Sequence, residues 1–293
     1  MNRRGFLAGC AAAGVGAALM GKLPKAAAAP SGPFADVPLR MSVPIDFFSG
    51  TVEEKLEQVA KWGFPAYEWL GPEGDFDAIR AKSDALGLTL SCIVGAGAIA
   101  PGQMVNPKDH DRVVAQFEER VKLAKRLGCR NLVGLTGNER RNVSREEQTE
   151  HVITCLKRLA PIAEKNDVVI VMETLNPLVD HKGFFLYRTD HAVEIMKAVG
   201  SPNVKILFDI YHQQISEGNV IRNLTENIEY IGHFHVADNP GRKEPGTGEL
   251  NYTNIFKAIA KTGYKGFVAL ECGSSTGNNE DILKATLPCL NWT

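Results

Sequence analysis

What the chain has little of narrows it first. Its six cysteines form no CxxC pair and are too sparse in 293 residues for a disulfide-built scaffold or a zinc finger. An excess of one charge is also missing, with 33 Lys and Arg against 34 Asp and Glu. No basic cluster interleaved with aromatics occurs, which argues against a nucleic-acid partner. No GxGxxG opens the first helical pattern, so a doubly wound dinucleotide fold lacks its signature. Beyond the amino-terminal segment, no linker or low-complexity stretch divides the chain. At 44% hydrophobic and 23% charged residues, positions 30–293 read as one enzyme-sized globular domain.

The first 29 residues stand apart. Arg3-Arg4-Gly5-Phe6-Leu7 precedes an Ala/Gly/Leu-rich stretch, which ends in Lys25 and Ala26–Ala29. A twin arginine, a mildly apolar segment and an Ala-x-Ala-like site have the pattern of a Tat-type signal peptide. The stretch is too short and too rich in Ala and Gly to span a bilayer comfortably. Leu7-Ala8-Gly9-Cys10 has the look of a lipobox, but almost no apolar region lies ahead of it. The expectation is export through the Tat machinery to the periplasm. Cleavage there would remove Arg3, Arg4, Lys22 and Lys25 and no acid, leaving 29 basic and 34 acidic residues, a net −5. Five cysteines would remain, Cys92, Cys129, Cys155, Cys272 and Cys289, and most are expected to be buried small hydrophobes.

Strand and helix patterns alternate about eight times in the remainder. Strands are expected at 39–45, 66–70, 89–94, 131–135, 168–174, 204–210, 233–237 and 267–271, all short, apolar and bounded by Gly, Pro or Asn. Amphipathic helices are expected at 52–62, 109–127, 145–165, 191–199, 220–230 and 252–262. Gly63, Gly87, Gly128, Gly200 and Gly263 stand where helices should stop. The economical fold class is α/β, a (β/α)8 TIM barrel. Two loops, 176–189 and 238–251, are longer than packing needs and are candidates for a substrate pocket on the carboxy-terminal face.

Four residues close consecutive apolar strands: Glu173 in VVIVMETLN, Asp209 in VKILFDIYH, His235 in HFHVAD and Glu271 in FVALECG. Their spacings of 36, 26 and 36 residues approximate one βα unit, roughly 30 residues, per step. Strand ends of a parallel barrel meet on one face. There, three carboxylates and an imidazole would suit one divalent ion, Mn²⁺, Mg²⁺, Co²⁺ or Zn²⁺, with open positions for substrate oxygens. His212, three residues after Asp209, is expected to begin the loop and lean into the pocket as a donor or acid. Arg242 is expected to bind a carboxylate or sugar hydroxyls, and His181 to line the pocket. Two glutamates at one cation suit proton transfer next to a carbonyl, since a hydroxy-carbonyl fragment chelates the ion and the enediolate is stabilised. Where the proton returns decides between an aldose–ketose isomer and an epimer.

The stretch from Glu173 to Glu271, above all FDIYH and HVADNPGRKEPGTGELNY, closely resembles the hydroxypyruvate isomerase family of xylose-isomerase-like TIM barrels, with the ketose 3-epimerases as cousins. Weaker echoes occur in GFPAYEWLGP and GCRNLVGLTGN. The resemblance implies Glu173, Asp209, His235 and Glu271 as metal ligands, Glu173 and Glu271 as the acid–base pair, and His212 and Arg242 as substrate contacts. Some family members carry Gln at the position of His235, whereas the epimerase cousins carry His. Cys272 departs from the aromatic residue common after the last Glu, which alters a pocket wall. The export signal is the second departure and points to a sugar or keto-sugar other than hydroxypyruvate.

Other readings follow from the same residues. A metal-dependent lyase or hydrolase of keto-glycosides would use the enediolate to expel a β-substituent. A phosphodiesterase of the endonuclease IV type would need more His ligands and a basic groove. A non-catalytic sugar-binding protein would need no acid–base pair. Homo-oligomerisation stays open.

Overall fold

The structure is a computed structural model and describes residues 31–292. The segment expected to be a Tat-type signal, its expected cleavage site and Cys10 lie outside the described residues. The strands are β1 (Arg40–Pro44), β2 (Ala66–Glu68), β3 (Thr89–Leu90), β4 (Cys92–Gly97), β5 (Asn131–Leu135), β6 (Val169–Glu173), β7 (Val204–Asp209), β8 (Ile231–Val236) and β9 (Phe267–Leu270). All pair in parallel in the order β3-β2-β1-β9-β8-β7-β6-β5-β4. The third strand of the barrel is broken at Ser91 into β3 and β4. Backbone pairing spans the break, because Ser91 N–H donates to Tyr67 O (2.8 Å) and Val94 N–H to Leu70 O (2.9 Å). The ring thus closes as an eight-position barrel.

The helices are α1 (Val52–Lys61), α2 (Phe76–Leu86), α3 (His110–Leu127), α4 (Arg145–Asn166), α5 (Thr189–Val199), α6 (Ile210–Ser216), α7 (Val220–Glu226), α8 (Tyr252–Lys261) and α9 (Asn279–Leu290). Local chemistry explains several of their ends. Thr51 and Glu54 form a reciprocal capping box at α1, and Asp75, Ser144 and Asn278 cap α2, α4 and α9. Gly87, Gly128 and Gly200 end α2, α3 and α5 in the left-handed conformation, which costs glycine little. The expected helix at 220–230 breaks after Glu226 into α7 and a 3-10 turn at Ile228–Tyr230. Among the described residues no helix is long and apolar enough to cross a membrane.

Strand alternation sorts side chains between the barrel interior and the helix layer. On β8, His233 and His235 share one face. Phe234 takes the other, packing on Phe208 (centroids 5.9 Å) and edge-on against Tyr264 (5.0 Å). Phe234 is fully buried. Phe234→Ala should therefore cost about 3–5 kcal/mol, read as a lower denaturation midpoint at unchanged slope. Cys92, Cys129, Cys155 and Cys272 are buried, and all five described cysteines are free thiols.

Candidate active site and metal centre

Glu173 ends β6, Asp209 ends β7, His235 is the penultimate residue of β8, and Glu271 directly follows β9. Strand register brings them together: Asp209 lies opposite His235, and His235 opposite Ala269, two residues before Glu271. One donor atom from each of the four can be chosen so that all lie within 4.8 Å of one another. Ligands about 2.0–2.6 Å from a common cation span such distances.

The donor chemistry also fits a cation. His235 Nδ1 is buried and makes no hydrogen bond, yet it lies 3.1 Å from Glu271 Oε2 and 3.4 Å from Glu173 Oε1. An orphaned ring nitrogen among carboxylate oxygens is what a ligand set needs. Burial pushes the Glu173 carboxyl up to about 7, against the pull of His235 and with added repulsion from Glu271 and Asp209. Burial also opposes the Glu271 charge, but His235 and Arg242 overcome it and hold that carboxyl well below its ordinary range. His235 is raised well above an ordinary imidazole, because Glu271 and Glu68 outweigh its burial. The two glutamates differ in their neighbours: His235 lies beside both, whereas Arg242 pairs with Glu271.

His212 belongs to the first turn of α6 rather than to a loop. The chain turns helical immediately after β7 because Asp209 Oδ1 accepts the His212 N–H (3.1 Å) as an N-cap. The tautomer of His212 follows from its neighbours. Asn176 Oδ1 accepts the N–H groups of Val179 (2.9 Å) and Asp180 (3.2 Å), so its amide nitrogen must face the other way. That nitrogen donates to Asp180 Oδ2 (2.7 Å) and to His212 Nδ1 (2.6 Å). Nδ1 is therefore the acceptor, and the neutral ring carries its proton on Nε2. Nε2 is buried without a hydrogen bond, 3.5 Å from Asp209 Oδ2. Burial lowers the His212 pKa, which keeps the ring a neutral donor. His181 packs its ring on that of His212 (centroids 5.1 Å), so it reaches the site through His212.

The loop 238–251 is an organised structure rather than a solvated connection. Buried Asp238 gathers it: Oδ1 accepts from the N–H of Asn239 (2.9 Å) and Leu250 (3.1 Å), and Oδ2 from those of Gly246 and Gly248 (both 2.9 Å). A Cβ on Gly248 would lie 2.2 Å from Asn239 O, so only glycine fits there. The Lys243 backbone forms a β-bridge with that of Asp238, whose N–H donates to Lys243 O (2.7 Å), and on its other side with Gly273 after β9. Buried Glu244 binds Ser275 of that same loop. Held this way, Arg242 adopts φ +53°, uncommon for a non-glycine residue. Its guanidinium lies 2.5 Å from Glu271 Oε2, 3.5 Å from Asp209 Oδ2 and against the Tyr211 ring.

Sequence reasoning missed Glu68, Asn176 and Asp238. Glu68 was legible as an acid inside the apolar run AYEWL, where a buried charge needs partners. Asn176 and Asp238 begin the two long loops and offered no signal beyond turn-forming residue types.

A family model described as xylose isomerase-like TIM barrel matches residues 56–291. The chain belongs to that family. The hydroxypyruvate isomerase of Escherichia coli (strain K12) is 32% identical over 242 residues, 80% of this chain and 93% of the relative. The 2-oxo-tetronate isomerase of Cupriavidus necator is 33% identical over 239 residues, 76% of this chain and 89% of the relative. Among solved structures, an AP endonuclease of family 2 from Brucella melitensis superposes with a TM-score of 0.74 at 24% identity, covering 83% of this chain and 96% of the other. That likeness concerns the fold alone, since one barrel carries many chemistries. The sequence relatives place the chain among isomerases of this fold.

Proposed function

We propose that the protein is a divalent-metal-dependent isomerase or epimerase of a small hydroxy-carbonyl compound or sugar. The observation that carries this reading is the convergence of Glu173, Asp209, His235 and Glu271 at four consecutive strand ends, with the orphaned His235 Nδ1 among carboxylates. A bound cation would supply Lewis-acid polarisation of the substrate carbonyl. The chain's own residues do the rest. His212 Nε2–H donates to a substrate oxygen. Arg242 engages a carboxylate or hydroxyls. One of Glu173 and Glu271 removes the proton next to the carbonyl, leaving an enediolate. The other delivers a proton to a neighbouring atom. Return to the adjacent carbon gives an aldose–ketose isomer, and return to the same carbon on the opposite face gives an epimer. Relatives that act as isomerases favour the first outcome. We further infer export through the Tat-type segment, so the substrate would be met in the periplasm.

The test is deuterium exchange followed by NMR. Mn²⁺-loaded protein is incubated in D₂O with hydroxypyruvate, ketohexoses and 3-keto-glucosides, and Mn²⁺ is removed before spectra are taken. Exchange at one α-carbon is expected, and it should disappear with EDTA. Loss of an aglycone would reassign the enzyme as a lyase. Absence of exchange with every compound, with metal bound, would refute the proton-transfer reading.

A further inference from the structure

Beside the four-residue site lies a fourth carboxylate, Glu68, that the proton-transfer chemistry does not use. Glu68 ends β2 and is buried in the barrel interior. Its Oε1 lies 3.0 Å from His235 Nε2, a close contact that falls short of straight hydrogen-bond geometry. Its Oε2 accepts a 2.8 Å hydrogen bond from His233 Nε2, and Ser91 Oγ, whose closer acceptor is Tyr67 O (3.0 Å), lies 3.4 Å away. Ser91 Oγ is in turn 2.8 Å from Ser42 Oγ. The carboxylate is therefore held from β8, with Ser91, at the break between β3 and β4, beside it.

This anchoring bears on His235. Its Nδ1 faces Glu173 and Glu271, and its Nε2 faces Glu68. An imidazole ligates a cation only through an unprotonated nitrogen, so a neutral ring that ligates through Nδ1 must keep its proton on Nε2. Glu68 is the acceptor placed beside that proton. We propose that Glu68 is a positioning residue, fixing the tautomer and ring plane of His235 so that Nδ1 is presented to the cation. The inference rests on the metal reading of the site above. Carboxylate partners of ligating histidines orient the ring and raise its basicity.

A competing role exists. Glu68, Cys92 and His233 could themselves gather around an ion. Two features oppose it. Both Glu68 oxygens already face imidazole nitrogens. Cys92 is fully buried, and burial, followed by Glu68, pushes its thiol far above an ordinary cysteine, away from the thiolate that ligation needs.

The experiment titrates Zn²⁺ calorimetrically into the stripped full chain and its Glu68→Gln variant, with thermal melts of both as the folding control. Wild type should bind one ion, and Glu68→Gln should bind it about 10–100-fold more weakly. Equal affinity in a folded variant would overturn the positioning role and leave the metal site standing. No binding by wild type would bring down the metal reading and this inference with it. Two ions in wild type, the second lost in both Cys92→Ala and Glu68→Gln, would assign Glu68 to a site of its own and overturn the proposal. A readout independent of variant folding is the long-range ¹H–¹⁵N spectrum of ¹⁵N-histidine-labelled, Zn²⁺-loaded wild type. His235 should appear ligated through Nδ1 with a proton on Nε2, and ligation through Nε2 would overturn the proposal.

Discussion

Glu271→Gln is expected to lower turnover by roughly 10²–10⁴-fold, the usual contribution of a positioned general acid or base, while the barrel stays folded. Gln keeps the size of Glu but can neither take nor deliver the proton. The fold should tolerate the change because Glu271 lies just past β9, its side chain 26% exposed. Arg242, which loses one partner, keeps Asp209 at 3.5 Å. Steady-state kinetics beside a thermal melt check both halves. Turnover at the wild-type rate would end the two-glutamate mechanism. A variant that melts early would instead reveal that the Arg242–Glu271 pair is chiefly structural.

Stripping the metal is expected to have an effect of similar size. EDTA treatment should abolish activity, and Mn²⁺ or Co²⁺ should restore it. Affinity should depend on pH in a definite direction. Burial raises Glu173 to about 7, and neighbouring carboxylates raise His235 well above an ordinary imidazole. Near pH 7 the stripped site therefore holds protons that ligation must displace, so affinity rises with pH. Calorimetry in buffers of different ionisation enthalpy should register release of about one to two protons per ion near neutrality. Affinity that stayed flat from pH 6 to 8 would mean these groups are not ligands.

Much of the architecture was legible because barrel strands leave a local trace. A strand covered on both faces is a short apolar run, and seven of the eight expected runs overlap a single strand with ends shifted by at most two residues. The exception, 89–94, is divided at Ser91, whose hydroxyl lies beside Ser42 and Glu68 inside the barrel. The acids and the histidine stood out because charge at the end of such a run is costly without a purpose. His212 was assigned to a loop because nothing in FDIYH announces that Asp209 caps a helix as well as joining the four-residue site.

By itself, the sequence determined the alternation of strands and helices, the parallel barrel, and the presence of Glu173, Asp209, His235 and Glu271 at strand ends. These follow from local periodicity and from the rule that parallel strands end on one face. Tertiary structure alone decided how the side chains are aimed. The Glu68 carboxylate meets His233 across 165 residues of chain, and the Asn176 amide sets the His212 tautomer across 36. Asp238 folds its loop so that Arg242 turns onto Glu271. Such contacts exist only once the ring of strands has closed, and local periodicity does not encode which distant polar groups will then share a buried space.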